Sequence, residues 1–151
     1  VQDGKNKSNI YVHMADGAVY KENENEKSGL DKYELSDVVF EKVNLSENGV
    51  DIKYRLSYVN GDVYLFDSRG YLYSKHDKFN NVSTYTWTEQ TIPLLANVSD
   101  NSGDKVSFEY KDNDIEIKLK DRKYVINRIK KDDGYLINSV TDPMGRVTFF
   151  N

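Results

Sequence analysis

The chain has 151 residues, of which 38% are hydrophobic, 30% charged and 13% aromatic, with a net charge of −4. That length fits one domain with a modest core or two small ones, and an aromatic content that includes 12 Tyr sets the chain apart from disordered sequences. Interleaved Lys and Asp leave no basic stripe for a phosphate backbone, no apolar run approaches the roughly 20 residues that span a bilayer, and the lack of Cys rules out disulfides and thiolate-bound zinc.

Residues 10–20, IYVHMADGAVY, read as two short strands around Asp16-Gly17, a pair that favours a tight turn. The KENENEKSGLDK that follows is polar, has no apolar period, and reads as an exposed loop. From Val38 a strand, VVFEKVNL, leads to an Asn48-Gly49 turn. In the next stretch Val50, Ile52, Tyr54, Leu56 and Tyr58 fall at every second position, the mark of a half-buried strand. A two-residue turn at Asn60-Gly61 sets Tyr58 against Val63 and Leu56 against Leu65 on one face, with Ser57 against Tyr64 and Arg55 against Phe66 on the other. Bulk on both faces calls for a covering layer or a binding surface. Further strands are expected near 71–74, 82–88, 106–110, 115–119, 124–129, 136–140 and 147–150. No helical period is sustained, and Pro occurs only at Pro93 and Pro143. The predicted fold is all-β, an antiparallel hairpin meander.

Three segments repeat: DKFNNVSTYTW from Asp77, DNSGDKVSFEY from Asp100 and DPMGRVTFFN from Asp142. Each places Asn or Gly three residues after the Asp (Asn80, Gly103, Gly145) and an aromatic five beyond that (Tyr85, Phe108, Phe150). A degenerate copy, DRKYVINRI, starts at Asp121, 21 residues from both Asp100 and Asp142. A half-motif, Gly-Tyr-Leu after an Asp-containing turn, occurs in FDSRGYL (66–72) and KDDGYL (131–136). In such units Asp opens a turn by accepting backbone N–H groups two or three residues on, and Gly or Asn tolerates the left-handed conformation.

YVNGDVYLFDSRGYLYSKHDKFNNVSTYTW resembles the unit of the RHS, or YD-repeat, family: Tyr-x-Phe-Asp-x-x-Gly-x-Leu, then Asp-x-x-Gly/Asn and a strand ending in two aromatics. GYLINSVTDPMGRVTFF is similar to the same consensus, with Thr141-Asp142-Pro143-Met144-Gly145-Arg146 its most specific part. The resemblance covers residues 49–151 and leaves 1–48 as an N-terminal β segment with a charged loop and no assigned motif. It implies a curved sheet or open shell in a bacterial protein that is secreted or cell-wall-associated. The shell would serve toxin encapsulation or delivery, or cell-surface contact, with no catalytic activity and no cofactor. The chain departs from a complete member in its few, partly degenerate repeats and in lacking a toxin domain and a self-cleaving core motif. It is therefore expected to be part of a wall, with the remaining repeats of a parent chain as partners. The strand at 147–150 would pair with a further repeat, or in isolation offer an edge-strand dimer contact.

The candidate turn residues are Asp67, Gly70, Asp77, Asn80, Asp100, Gly103, Asp142 and Gly145. Tyr64, Tyr71, Tyr73, Tyr85, Trp87 and Tyr110 admit two readings: packing on a covered face, or an exposed platform stacking on cell-wall or host carbohydrate. His13 and His76 lie in separate contexts, and no Ser sits in a nucleophile elbow. Asp112, Asp114 and Glu116 read as a solvated edge. Acidic turns such as DNSGD match no full EF-hand loop, so no metal is expected.

Overall fold

The computed structural model describes residues 2–3, 9–22, 29–31 and 37–150, and among them there is no helix. Three short strands, β1 (Gln2–Asp3), β2 (Ile10–His13) and β3 (Val19–Lys21), form an antiparallel sheet in chain order. The other eleven form one open antiparallel sheet, also in chain order, and do not close into a barrel. They are β4 (Val38–Glu47), β5 (Val50–Tyr58), β6 (Val63–Asp67), β7 (Leu72–His76), β8 (Val82–Trp87), β9 (Leu95–Asp100), β10 (Lys105–Tyr110), β11 (Asp114–Leu119), β12 (Arg122–Lys131), β13 (Gly134–Thr141) and β14 (Val147–Phe149). The chain divides into two compact units, residues 1–84 and 85–151. Residues 38–47, grouped by sequence with the unassigned N-terminal segment, are the first strand of the meander.

The first unit is packed on both sides of its sheet. Phe40, Leu56 and Phe66 project from one face, where Ile10, Val12 and Leu30 cover them. Phe40 and Ile52 are 1% and 0% exposed, and burying each side chain is worth about 1.5–3 kcal/mol. On the opposite face Ile52, Leu65 and Tyr73 form a smaller cluster. Leu30 corrects the loop reading of residues 21–32: Lys21 closes β3, Glu22 bridges to Leu30, and the Leu30 side chain enters the core. Residues 23–28 and 32 of that stretch lie outside the described residues.

The β5–β6 register differs from the expected one. Tyr58 N–H donates to Asp62 O at 2.8 Å and Gly61 N–H to Tyr58 O at 2.9 Å, with Gly61 at φ 95°. The loop therefore holds three residues, a turn followed by a left-handed glycine, and pairs Ser57 with Val63, Leu56 with Tyr64 and Tyr54 with Phe66. A one-residue shift moves every side chain to the other face, so Tyr64 and Phe66 join Leu56. The Asn48-Gly49 turn is a two-residue loop, with both residues at positive φ (50° and 79°) between paired Glu47 and Val50.

In the second unit the pairing sets Phe108 against Ile117 and Ile117 against Tyr124, with Tyr110, Ile115, Ile126 and Val140 in the adjacent row of the same face. The other face carries Glu109 opposite Glu116, a like-charge pair that Lys118 bridges at 2.9 and 3.3 Å. Glu116 also takes Lys111 at 2.6 Å and lies on a central strand with its side chain 14% exposed, which corrects its assignment to a solvated edge. Strand β9 had no sequence assignment, because its LANVSD lacks an apolar alternation. Thr88 and Leu94 pin the connection before it, Thr88 N–H donating to Leu94 O and Leu94 N–H to the Thr88 hydroxyl.

Gly61 occupies a tight turn, since a Cβ there would lie 2.8 Å from Lys78 Cβ. Gly61→Ala is expected to lower unfolding stability by about 1–3 kcal/mol, from the clash and the positive φ together. Gly103→Asn, at a position where the sister turn already holds Asn80 at φ 63°, should stay within about 0.5 kcal/mol. Urea denaturation of both variants checks the ranking.

Candidate functional site: a repeated aspartate turn

Four connections of the meander are built alike. At Asp67, Asp77, Asp100 and Asp142, the Asp N–H donates to the carbonyl four residues on, and the residue three on donates back to the Asp carbonyl at 3.0–3.2 Å. That third residue is Gly70, Asn80, Gly103 or Gly145, each left-handed at φ 84°, 63°, 94° and 79°. The Asp Oδ1 then accepts two backbone N–H groups at 2.8–3.0 Å: Arg69 and Tyr71, Phe79 and Asn81, Ser102 and Asp104, Met144 and Arg146. The donors lie two and four residues on, which corrects the expectation of two or three. The loop has three residues, so the fourth residue immediately precedes the next strand and its N–H is turned back toward the carboxylate.

The second carboxylate contacts vary. Asp67 Oδ2 takes the Arg69 guanidinium at 2.9 and 3.0 Å, Asp77 Oδ2 the Asn81 amide at 2.7 Å, and Asp142 Oδ2 the Arg146 Nε at 2.5 Å. Asp100 Oδ1 adds the Ser102 hydroxyl at 2.6 Å. These partners hold three of the acids below the ordinary carboxylate value of 3.8. For Asp77 the Asn81 side chain leads, for Asp100 the Ser102 hydroxyl, and for Asp142 the Arg146 backbone N–H. Carboxylates engaged in this way act as conformational locks, with Oδ1 in each case already taken by two backbone N–H groups of its own turn.

Two sequence copies do not share this geometry. Asp121 sits in a two-residue loop, with Leu119 paired to Arg122 across Lys120 and Asp121 and the left-handed position filled by Lys120 at φ 54°. In KDDGYL, Lys131 pairs with Gly134 across Asp132 and Asp133, so Gly134 is a strand residue where Gly70 of FDSRGYL is a loop residue. Conversely, Met14–Ala18 and Tyr58–Asp62 close the same backbone loop without a leading Asp. Their shared signal is the glycine at the third loop position, Gly17 and Gly61.

The six aromatics proposed as stacking residues are distributed over both units. Tyr73 is 7% exposed and sealed in the smaller core, its hydroxyl receiving the Asn48 amide at 3.1 Å, so no ring face is open to a sugar. Tyr64 packs against Tyr58 with centroids 5.2 Å apart and carries the Lys75 ammonium over its ring. Tyr71 lies under the Arg69 guanidinium. Tyr85 and Trp87 alternate along β8 and are half-buried, and Tyr110 directs its hydroxyl to Leu95 O at 2.9 Å. Ser74 Oγ and His76 Nε2 are 3.0 Å apart, yet Ser74 is 1% exposed and out of reach of a substrate.

Among known proteins, no family model and no curated protein matches this chain.

The depressed acids predict a pH dependence. In the unfolded chain Asp77, Asp100 and Asp142 return to their ordinary value, so on acidification the unfolded state binds protons first. The stability they contribute is therefore complete well above pH 4 and is lost as pH falls through their depressed native values. Urea midpoints measured from about pH 6 to about pH 2.5 should fall less steeply below about pH 4 in an Asp77→Asn, Asp142→Asn double variant than in the wild type. Parallel curves would show that these charges are not coupled to folding.

Proposed function

We propose that the chain is a non-catalytic architectural module of a secreted or cell-wall-associated bacterial protein of the RHS/YD-repeat type. In this reading its strands contribute to the wall of a β-shell that serves toxin encapsulation or delivery, or contact at the cell surface. The supporting observation is the Asp turn with a left-handed third residue, repeated at β6–β7, β7–β8, β9–β10 and β13–β14 with one hydrogen-bond pattern. A unit of one turn and one strand, added edge to edge, lengthens a sheet without a new core each time, which is the economy of repeat architectures.

The open end of the sheet fits the same reading. β14 pairs only with β13 among the described strands, and Val147 and Phe149 on it are 47% and 70% exposed. An apolar edge of this kind is a liability unless another strand covers it. A following repeat of the parent chain would supply that strand.

Reading the gene on both sides of the segment tests the proposal. Further Asp-x-x-Gly or Asp-x-x-Asn units at a spacing of about 20 residues are expected in frame, as repeat architectures require several stacked units. An open reading frame without any such unit on either side would remove the architectural reading.

A further inference from the structure

A cleft of about 240 Å³ opens where the β2–β3 turn meets the start of β4 and the end of β5, with Met14, Asp16, Tyr20, Asp37, Val38 and Tyr58 in its wall. Val38 is buried, and Met14, Tyr20 and Tyr58 pack against the main core, so the wall is anchored and largely apolar. Its two rims are held by backbone hydrogen bonds. Met14 N–H donates to Ala18 O at 2.8 Å and Gly17 N–H to Met14 O at 3.1 Å, while Val59 N–H donates to Asp37 O at 2.8 Å. Two oxygens in this wall are underused. The Tyr58 hydroxyl donates only to the Met14 thioether, a weak acceptor, at 4.0 Å. Asp16 gives Oδ1 to Ala18 N–H at 2.9 Å and holds no ion pair among the described residues, which leaves Oδ2 for a ligand. Burial first, then Tyr64, Asp16 and Asp37, push the Tyr58 hydroxyl above its usual value. Lys75 pulls the other way, but it sits over the Tyr64 ring, 5.2 Å from the centroid, and is not part of the cleft wall. The cleft therefore combines a negative potential with partly desolvated, apolar sides.

We propose that this cleft binds a primary alkylammonium group, its N–H donors on the Tyr58 hydroxyl oxygen and Asp16 Oδ2 and its alkyl stem against Met14, Val38 and Tyr20. None of these residues belongs to an Asp turn of the repeat, so the inference stands apart from the architectural reading. Each part of the wall selects for one part of the ligand. The two carboxylates favour a cation and repel an anion. A hard metal ion asks for six or more oxygen ligands, whereas this wall sets rings, a thioether and a valine between its acids. A quaternary ammonium would be attracted by the tyrosine rings but has no N–H for the two oxygens. A primary ammonium brings three donors on a point charge, and charge-assisted hydrogen bonds to a carboxylate are the strong kind. Because the backbone bonds fix both rims, little ordering cost falls on binding. The chemistry is that of a free alkylamine or of a lysine side chain.

The chain has 2 Met, one in the cleft and one in the β13–β14 loop, so methyl NMR of the whole chain carries its own control. Titration with n-butylammonium chloride should shift the Met14 methyl saturably, with a Kd on the order of 1–10 mM, and leave Met144 in place. At matched ionic strength n-butanol and pentanoate should shift neither, and tetramethylammonium should bind at least about fivefold more weakly. Asp16→Asn keeps Oδ1 for Ala18 N–H, and Tyr58→Phe keeps the ring against Tyr64. Each should raise the Kd for n-butylammonium at least about fivefold. A Met14 shift that stays linear, equal shifts at Met14 and Met144, tetramethylammonium binding as tightly as n-butylammonium, or folded variants that bind unchanged each overturn the proposal. If a variant fails to fold, the ligand series on the wild type decides. Nα-acetyl-lysine methylamide separates the sources: a saturable Met14 shift supports a protein lysine as the natural ligand, and none supports a free amine.

Discussion

One hydrogen-bond arrangement underlies the meander: an Asp carboxylate that accepts the N–H groups two and four residues on, closing a loop whose third residue is left-handed. It does two jobs at once. It neutralises amides that the sheet ladder cannot reach, and it sets the loop at three residues, which fixes the register of the strands on either side. Register is what decides which side chains face a core. At β5–β6, where the loop also has three residues, that register places Tyr64 and Phe66 with Leu56 and so builds the main core.

The two units use this scaffold differently. In residues 1–84 both faces are occupied, one by the small three-stranded sheet and Leu30, the other by the Ile52, Leu65 and Tyr73 cluster. In residues 85–151 stability has to come from the backbone ladder, from cross-strand pairs such as Phe108 with Ile117, and from the lysine and glutamate lattice on the reverse face. Each such pair contributes only about 0.2–1 kcal/mol, so this unit depends on loops that hold register without help from a buried core. The Asp turns at 100 and 142 lie in that unit and supply this constraint.

Much of this was legible in the sequence, because alternation and turn chemistry are local. The all-β meander follows from period-two patterning in segments such as VDIKYRLSYV, and the left-handed positions follow from Gly and Asn three residues after Asp. What escaped was loop length. Asn60-Gly61 is compatible with either a two- or a three-residue hairpin, and the three-residue form shows only in the pairing of Tyr58 with Asp62 and the left-handed Gly61. Asp121 and the Asp132-Asp133 pair escaped for the same reason: acidic residues at the right spacing also suit two-residue loops, and the ladder decides between them. Leu30 was hidden because a single apolar residue in a charged stretch has no period, and Tyr73 because only the bulge between β6 and β7 turns its ring into the smaller core. The repeat turns could be read as a pattern of residues, but that Oδ1 takes the N–H groups two and four residues on shows only in the folded chain.

The claim that the carboxylates hold the turns is tested most directly by native-state hydrogen exchange on the wild type and on a variant with Asp77, Asp100 and Asp142 all replaced by Ala. The account predicts that Phe79, Asn81, Ser102, Asp104, Met144 and Arg146 lose amide protection in the variant, while Asn48, Gly49 and Lys120, in loops without such an Asp, exchange as before. Unchanged protection at those six amides would contradict it, and would mean that the backbone ladder alone sets the turns.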